Sequence, residues 1–426
     1  MSIAKPYGVS TAADVLSFIP HSLGYWPSES LVFITLTGKV SGATLRVDIP
    51  DESGPVPLRS FVKQVRQYLT SDPTADGTMA AMYTDADWCA GSAPPHQVVM
   101  EALRAELREA GIPLRDAWRI GHSNWGCYDC PGIGCCPPSG HSIEDITTSM
   151  LNAELIFQGS HYGSSLEALH QHYPVAGSNL DEAVDHAIAV NTACIGTKWL
   201  QKDQFVATLA AWQVAISGRN RRKYAPGSVP DAQSTGFLLA SLNNKMVRDC
   251  LLVQISVGLS TALTGAEFFN VLQPPGGSPV VPDGLQRALQ AVAIPEAADP
   301  DEADDSVEVA GTPLESDELM AFRDVLLGQH TGVPDWPAVN RAAALFQSLL
   351  GYSSGTPAAA LLTMLAWIEW IKGRGSSAGR YVASCLELDP EYELALLLDE
   401  LFSYGILPQW AMKPGTAWRG GRAEAA

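Results

Sequence analysis

No stretch of this chain is apolar for the ~20 consecutive residues that a membrane-spanning helix requires. The longest apolar run, residues 358–371, is broken by Thr363 and Glu369 and reads as a buried helix. The opening residues, MSIAKPYGVSTAADVLSF, have no continuous apolar core and no small-residue cleavage site, so no secretory signal is expected. Basic residues are scarce: 27 Lys and Arg stand against 46 Asp and Glu, a net charge of −19. A field of that sign repels phosphate backbones, so neither nucleic acid nor membrane is expected as a partner. Familiar catalytic signatures are missing too. There is no G-x-x-x-x-G-K-[ST] loop, no strand-associated G-x-G-x-x-G, no H-E-x-x-H and no G-x-S-x-G. ATPase, dehydrogenase, zincin and α/β-hydrolase readings therefore lack their usual anchors, and the turn Pro274-Pro275-Gly276-Gly277 follows no expected strand.

What is present is ordinary for folded protein. Hydrophobic residues make up 46% and charged residues 17%, too apolar a mixture for wholesale disorder. At 426 residues the chain has room for two or three cores. Ten of its carboxylates, with no Lys or Arg, fall in residues 296–318, which leaves −9 for the remainder. Four of eight cysteines crowd into residues 127–136, while Cys89, Cys194, Cys250 and Cys385 stand alone. That is no disulfide framework. Together with the missing signal it predicts reduced thiols and a cytoplasmic chain.

Hydrophobic period changes along the chain. Residues 31–37 (LVFITLT) form a short apolar run, and residues 44–49 alternate, so the pair reads as a hairpin about Gly38-Lys39. Residues 57–69 switch to helical spacing, 78–83 read as a third strand, 95–110 as an amphipathic helix and 114–122 as a fourth strand. This order predicts an α/β N-terminal domain, a small mixed sheet with flanking helices, over residues 1–142. A mostly α-helical body is expected at 143–273, an acidic Pro/Gly-rich insertion or linker at 274–318, and a helical-hairpin tail at 319–426. In the tail, residues 357–404 are partly tetratricopeptide-like, but one such unit cannot form a solenoid. Trp367 and Trp370, three apart, are expected in its core. The dense basic run 218–224 reads as a solvated loop.

Four segments carry a family resemblance. They are residues 19–32 (IPHSLGYWPSESLV), Arg46-Val47-Asp48 with Pro50, Tyr83-Thr84-Asp85, and Trp125 through Pro138 with Tyr128, Cys130, Cys135 and Cys136 in a Tyr-x-Cys-x4-Cys-Cys-Pro-Pro pattern. Ala366-Trp367 and residues 388–392 (LDPEY) add to it. In these features the chain resembles the actinobacterial family known as domain of unknown function 4192. Cys127 departs from the pattern, where Ser is usual. The resemblance covers most of the chain outside the acidic segment and brings no activity, cofactor or partner with it.

Two groups of residues could carry chemistry. Cys127, Cys130, Cys135 and Cys136, with His141 five residues beyond, offer soft thiolates and an imidazole of the kind that bind zinc. The short spacing equally suits inert packed thiols or a labile disulfide. The second group depends on topology. If the strands ending near Asp48 and Asp85 run parallel, both carboxylates reach the rim where α/β sheets place ligands, with His122 at the end of the next strand. Arg46, on the face of Asp48, would hold an anion. The bland alternative makes each Asp a helix cap and Arg46 part of a solvated edge. Two functions follow from these groups: a non-catalytic cytoplasmic protein working through a protein partner or self-association, or a metal-dependent enzyme acting on a phosphorylated or other anionic small molecule through Asp48, Asp85 and His122.

Overall fold

The structure is a computed structural model. It describes residues 11–50, 58–89, 92–130, 135–158, 160, 162–171, 175–179, 181–218, 230–289, 313–413 and 415–418. The basic run beyond Gly218 and the acidic segment 296–312 lie outside these residues. The chain separates into two compact units, residues 1–172 and 173–426.

The first unit is a six-stranded mixed sheet with helices on both faces. Its elements run α1 (Ala12–Leu23), β1 (Ser30–Thr37), β2 (Val40–Asp48), α2 (Leu58–Leu69), β3 (Gly77–Tyr83), α3 (Gln97–Glu109), β4 (Leu114–Ile120), β5 (Asn124–Cys127), β6 (His141–Ser142), α4 (Ile143–Thr147), α5 (Met150–Phe157) and α6 (Leu166–Gln171). The strand order is β2-β1-β3-β4-β5-β6. β1 pairs antiparallel with both β2 and β3, and β3 pairs parallel with β4. β1 is covered on both sides, so its run Leu31 to Leu36 is buried residue after residue rather than alternating. Leu31, Phe33, Ala80 and Met82 meet Val62, Val65, Val99 and Leu103 of α2 and α3 on one face. Val32, Ile34, Tyr83, Trp118 and Trp125 meet Leu16, Ile19 and Ile146 on the other.

α1 starts at a capping box, in which Thr11 and Asp14 each accept the other's backbone N–H at 3.1 Å. Asp14 is buried and its second oxygen accepts from the Leu151 amide, tying α1 to the start of α5. The break between α4 and α5 has a similar cause. Ser149 accepts the Asn152 amide through Oγ and opens a new helix.

The second unit is helical. It comprises α7 (Glu182–Ile195), α8 (Lys202–Ser217), α9 (Ala232–Ser241), α10 (Lys245–Val257), α11 (Leu259–Phe268), α12 (Asp283–Leu289), α13 (Pro313–Leu326), α14 (Trp336–Leu350), α15 (Gly355–Ile371), α16 (Gly375–Leu388), α17 (Glu393–Ser403) and α18 (Gln409–Met412), with a 3-10 turn after α7. α15 is apolar all round and buried on every side, packed by α10, α14, α16 and α17. Its Glu369 is buried between Lys372 at 3.3 Å and Arg374 at 3.1 Å, which compensate the charge. Trp367 and Trp370 are buried and donate to the carbonyls of Leu326 and Ile406. Residues 274–289, read from composition as insertion, are held in place: the Gln204 amide donates to the Val280 carbonyl and accepts from its N–H. Among the described residues no helix is long and apolar enough to cross a membrane.

Phe346 is fully buried, edge-on to Trp212. Truncating it leaves a void that neighbouring helices cannot refill, so Phe346→Ala is expected to cost about 3–5 kcal/mol. Urea unfolding followed by circular dichroism checks this as a lowered midpoint for the helical unit.

Candidate functional site

The antiparallel β1 separates two strands of common direction. β2, β3 and β4 therefore run the same way and end at one rim of the sheet. Asp48 closes β2, Asp85 follows β3, and His122 sits in the tight turn from β4 to β5. The structure thus gathers these three residues along one edge. It does not bury them: Asp48, Asp85 and His122 are all exposed. Asp48 is paired with Arg46 at 2.7 Å, and the Asp85 amide donates to the Glu29 carboxylate at 2.6 Å. A cleft of about 410 Å³ lies instead in the helical unit, lined by residues that include Asn191, Asp231, Val280 and Asp283. None of the rim residues contributes to it.

Two further carboxylates, Glu29 and Asp87, organise this rim. Glu29 lies between Ser28 and β1 with a φ of 39°, a backbone conformation uncommon for a side-chain-bearing residue. Held there, its carboxylate reaches across to the end of β3. Asp87 takes both the amide and the hydroxyl of Ser123, at 2.7 and 2.6 Å. These bonds, first the hydroxyl and then the amide, hold its carboxyl below the ordinary carboxylate range. A depressed folded-state value contributes stability that is present above the unfolded value and lost as pH falls through the folded one. Asp87→Ala is therefore expected to lower the unfolding midpoint of the N-terminal unit at pH 7 and to match wild type in strong acid. A gap of equal size at both pH values would contradict this role.

On the α1 face the hydroxyls of Ser30 and Tyr83, directly opposite each other across β1 and β3, are buried without hydrogen-bond partners among the described residues. Trp26 packs edge-on to Tyr83, and burial pushes the Tyr83 phenol upward. Nearby, His21 joins Ser160 and Asn152, each at 2.9 Å. The Asn152 amide nitrogen donates to the Thr147 carbonyl, so its oxygen accepts from His21 Nε2. Glu29 and Ser30 had a sequence signal as the acid and Ser of one resemblance segment, which also spans His21 and Trp26, and Tyr83 had one as the Tyr of another.

The cysteine loop leaves the end of β5. The sulfurs of Cys127, Cys135 and Cys136 lie within 4.8 Å of one another, close enough to hold a metal ion. Cys130 Sγ is 2.6 Å from Cys135 Sγ. The Cys127 amide donates to Cys136 Sγ at 3.3 Å, a bond that favours a thiolate there. Burial outweighs it and pushes the Cys136 thiol up to about 11, while the contact with Cys130 does the same for Cys135. His141 stands apart from these sulfurs. Its ring stacks on Trp125 at 4.4 Å, its partner across β5 and β6, with Nδ1 3.9 Å from Asp145.

These features define a class: an α/β unit bearing a thiol cluster and a polar sheet rim, followed by a helical unit. The chain belongs to the family described as Domain of unknown function (DUF4192), whose model matches residues 13–264 and 265–409. Comparison with curated proteins and with solved structures finds no match.

Proposed function

We propose that this is a non-catalytic cytoplasmic protein that works through self-association, with α5 as the contact and zinc as a structural element of the cysteine loop. The observation that carries the reading is the outer face of α5. Its inner face is anchored by buried Leu151, Asn152 and Leu155, yet Met150 and Phe157 are 88% and 86% exposed and Ile156 is 53% exposed. Met150, Ala153 and Phe157 stand at i, i+3 and i+7, a single helical stripe. Large apolar side chains bared together mark interaction surfaces.

A second copy of the chain fits this stripe well. Two α5 helices crossing antiparallel on a twofold axis set Met150 of each on Phe157 of the other, a favourable sulfur–aromatic pair. Ala153, small and central, lets the helices approach. The charge argument points the same way. Two chains of −19 repel, so contact belongs where charge is sparse, and α5 carries only Glu154. Such a small contact corresponds to association in the micromolar range.

Two Glu154 carboxylates would face each other near the axis, which gives the test its signature. Light scattering on the eluting wild-type chain and on Glu154→Gln should give dimers for both. The variant should associate at lower concentration, and added salt should strengthen the wild-type dimer by screening. Single-chain masses for both, or a dimer weakened by salt, would refute the reading.

For the cysteine loop, three convergent soft donors support zinc, with Cys130 the nearest candidate for the fourth ligand. Cys130 would have to move away from Cys135, because a tetrahedron with 2.3 Å bonds has edges of about 3.8 Å. The Cys127 N–H already directed at Cys136 Sγ would orient one ligand.

A further inference from the structure

The four sulfurs of the cysteine loop are not equivalent. None is in a disulfide. Cys130 Sγ and Cys135 Sγ stand 2.6 Å apart, against 3.8 Å between the sulfurs of Cys135 and Cys136. Cys135 is exposed, Cys127 and Cys130 are half-buried and Cys136 is buried. A reagent arriving from solvent therefore meets Cys135 first, with Cys130 directly beside it.

The backbone holds this arrangement. The Cys127 carbonyl accepts the Cys130 N–H at 3.4 Å and the Trp88 indole N–H at 3.1 Å, so Cys130 closes a tight turn pinned to the sheet. Within that turn Tyr128 is fixed as well. Its amide donates to the Ala117 carbonyl of β4 at 2.9 Å and its phenol to the Pro95 carbonyl. Cys136 is committed elsewhere, its sulfur accepting the Cys127 N–H at 3.3 Å. Joining Cys135 to Cys136 would also close an eight-membered ring around one peptide bond and distort its plane. Cys130 is thus the partner that geometry gives Cys135, and a bond of about 2.05 Å asks the two sulfurs to approach by only about half an ångström.

We infer that Cys135 and Cys130 form a thiol–disulfide modification site: Cys135 takes up a thiol from a small-molecule disulfide, and Cys130 resolves the adduct into a Cys130–Cys135 bond. In the first step the Cys135 sulfur, as thiolate, attacks one sulfur of the small disulfide. The reagent's S–S bond breaks, and the leaving thiolate takes up the proton that Cys135 gave. In the second step the Cys130 sulfur attacks the Cys135 sulfur and expels the other small thiol in the same way. Two protein thiols are oxidised and one small disulfide is reduced to two thiols. The contact with Cys130 pushes the Cys135 thiol up to about 11, so the first attack is slow near neutrality and is followed at mildly alkaline pH. Once the adduct forms, a resolving sulfur already in place outruns a second molecule from solution. The bond would occupy two sulfurs of the zinc reading, so metal and disulfide exclude each other. The reaction itself needs neither zinc nor association through α5, and a chain found without zinc gives the same result.

The test treats the reduced, chelator-washed full chain with glutathione disulfide, alkylates the remaining thiols and maps the loop by mass spectrometry. Alkyl label is expected on Cys127 and Cys136. Cys130 and Cys135 should be unlabelled, free of glutathione and joined, the loop peptide being lighter by two hydrogens, and dithiothreitol should restore both thiols. Cys130→Ser should stop at the first step, with glutathione held on Cys135. Cys194, exposed and outside the cluster, reports that the reagent is active by holding glutathione in every chain. Glutathione retained on wild-type Cys135, linkage through Cys127 or Cys136, or a fully alkylated loop once Cys194 has reacted would overturn the proposal. So would a loop disulfide in Cys130→Ser.

Discussion

Replacing Cys136 by Ser is expected to reduce the zinc content of the purified chain from about one per chain to near zero. Cys136 is the most buried sulfur of the cluster and the acceptor of the Cys127 N–H, so it contributes both a ligand and the orientation of the loop. Serine keeps the size but offers a harder, less acidic donor. Because a structural metal adds its binding free energy to folding, the variant should unfold at a lower temperature, and a chelator should lower wild type to the same point. The Cys127, Cys135 and Cys136 thiols lie above their ordinary values, the last two pushed up to about 11. Zinc must therefore displace protons, and its affinity should rise with pH across the neutral range. Cys194→Ser, at an exposed cysteine outside the cluster, should keep its zinc. Elemental analysis with thermal unfolding of all three chains reads these outcomes. Wild-type protein purified under reducing conditions with far less than one zinc per chain would end the metal assignment.

The double variant Met150→Asp/Phe157→Asp is expected to be monomeric at concentrations where wild type is dimeric. Fully burying a Met or Phe side chain contributes about 1.5–3 kcal/mol, and a twofold interface counts each position twice. Placing carboxylates there also adds repulsion at a contact between two acidic chains. A loss beyond about 4 kcal/mol is reasonable, roughly a thousandfold in Kd. Both positions are already exposed in the single chain, so the unfolding temperature extrapolated to low concentration should be unchanged. That separates a lost contact from a damaged fold.

Much of this architecture is legible from side-chain period. β1 and β2 announce themselves by apolar run and alternation, and the stripe Leu58, Phe61, Val62, Val65 and Leu69 gives α2. The mixed sheet with flanking helices and the helical remainder follow from the same reading. Short or locally capped elements do not show in period. β5 and β6 span four and two residues, too few for alternation; the turn at Gly121 folds β5 back onto β4, and β6 pairs in turn with β5. α1 is marked by its Thr11–Asp14 capping box, a signal carried by two residues rather than by a pattern. The split between α4 and α5 rests on one hydroxyl, that of Ser149.

The rim was readable in part, since acids that follow strands collect where parallel strands end. Its inner groups were not. Arg119 looks like the polar member of an alternating strand, yet it is buried in the fold, opposite Gly126, over which the sequence-distant Trp88 lies. The bare face of α5 was hidden for the opposite reason. An apolar helix normally signals burial, and only the folded unit shows which side is left uncovered.

The central claim, that the outer face of α5 is buried against a second copy, is tested most directly by photo-crosslinking from position 157. A benzophenone side chain placed there in the otherwise wild-type full chain should give, on irradiation, a covalent dimer. Peptide mapping should join position 157 of one chain to the segment around Met150 of the other. Crosslinks confined within a single chain, or a dimer joined far from α5, would contradict it.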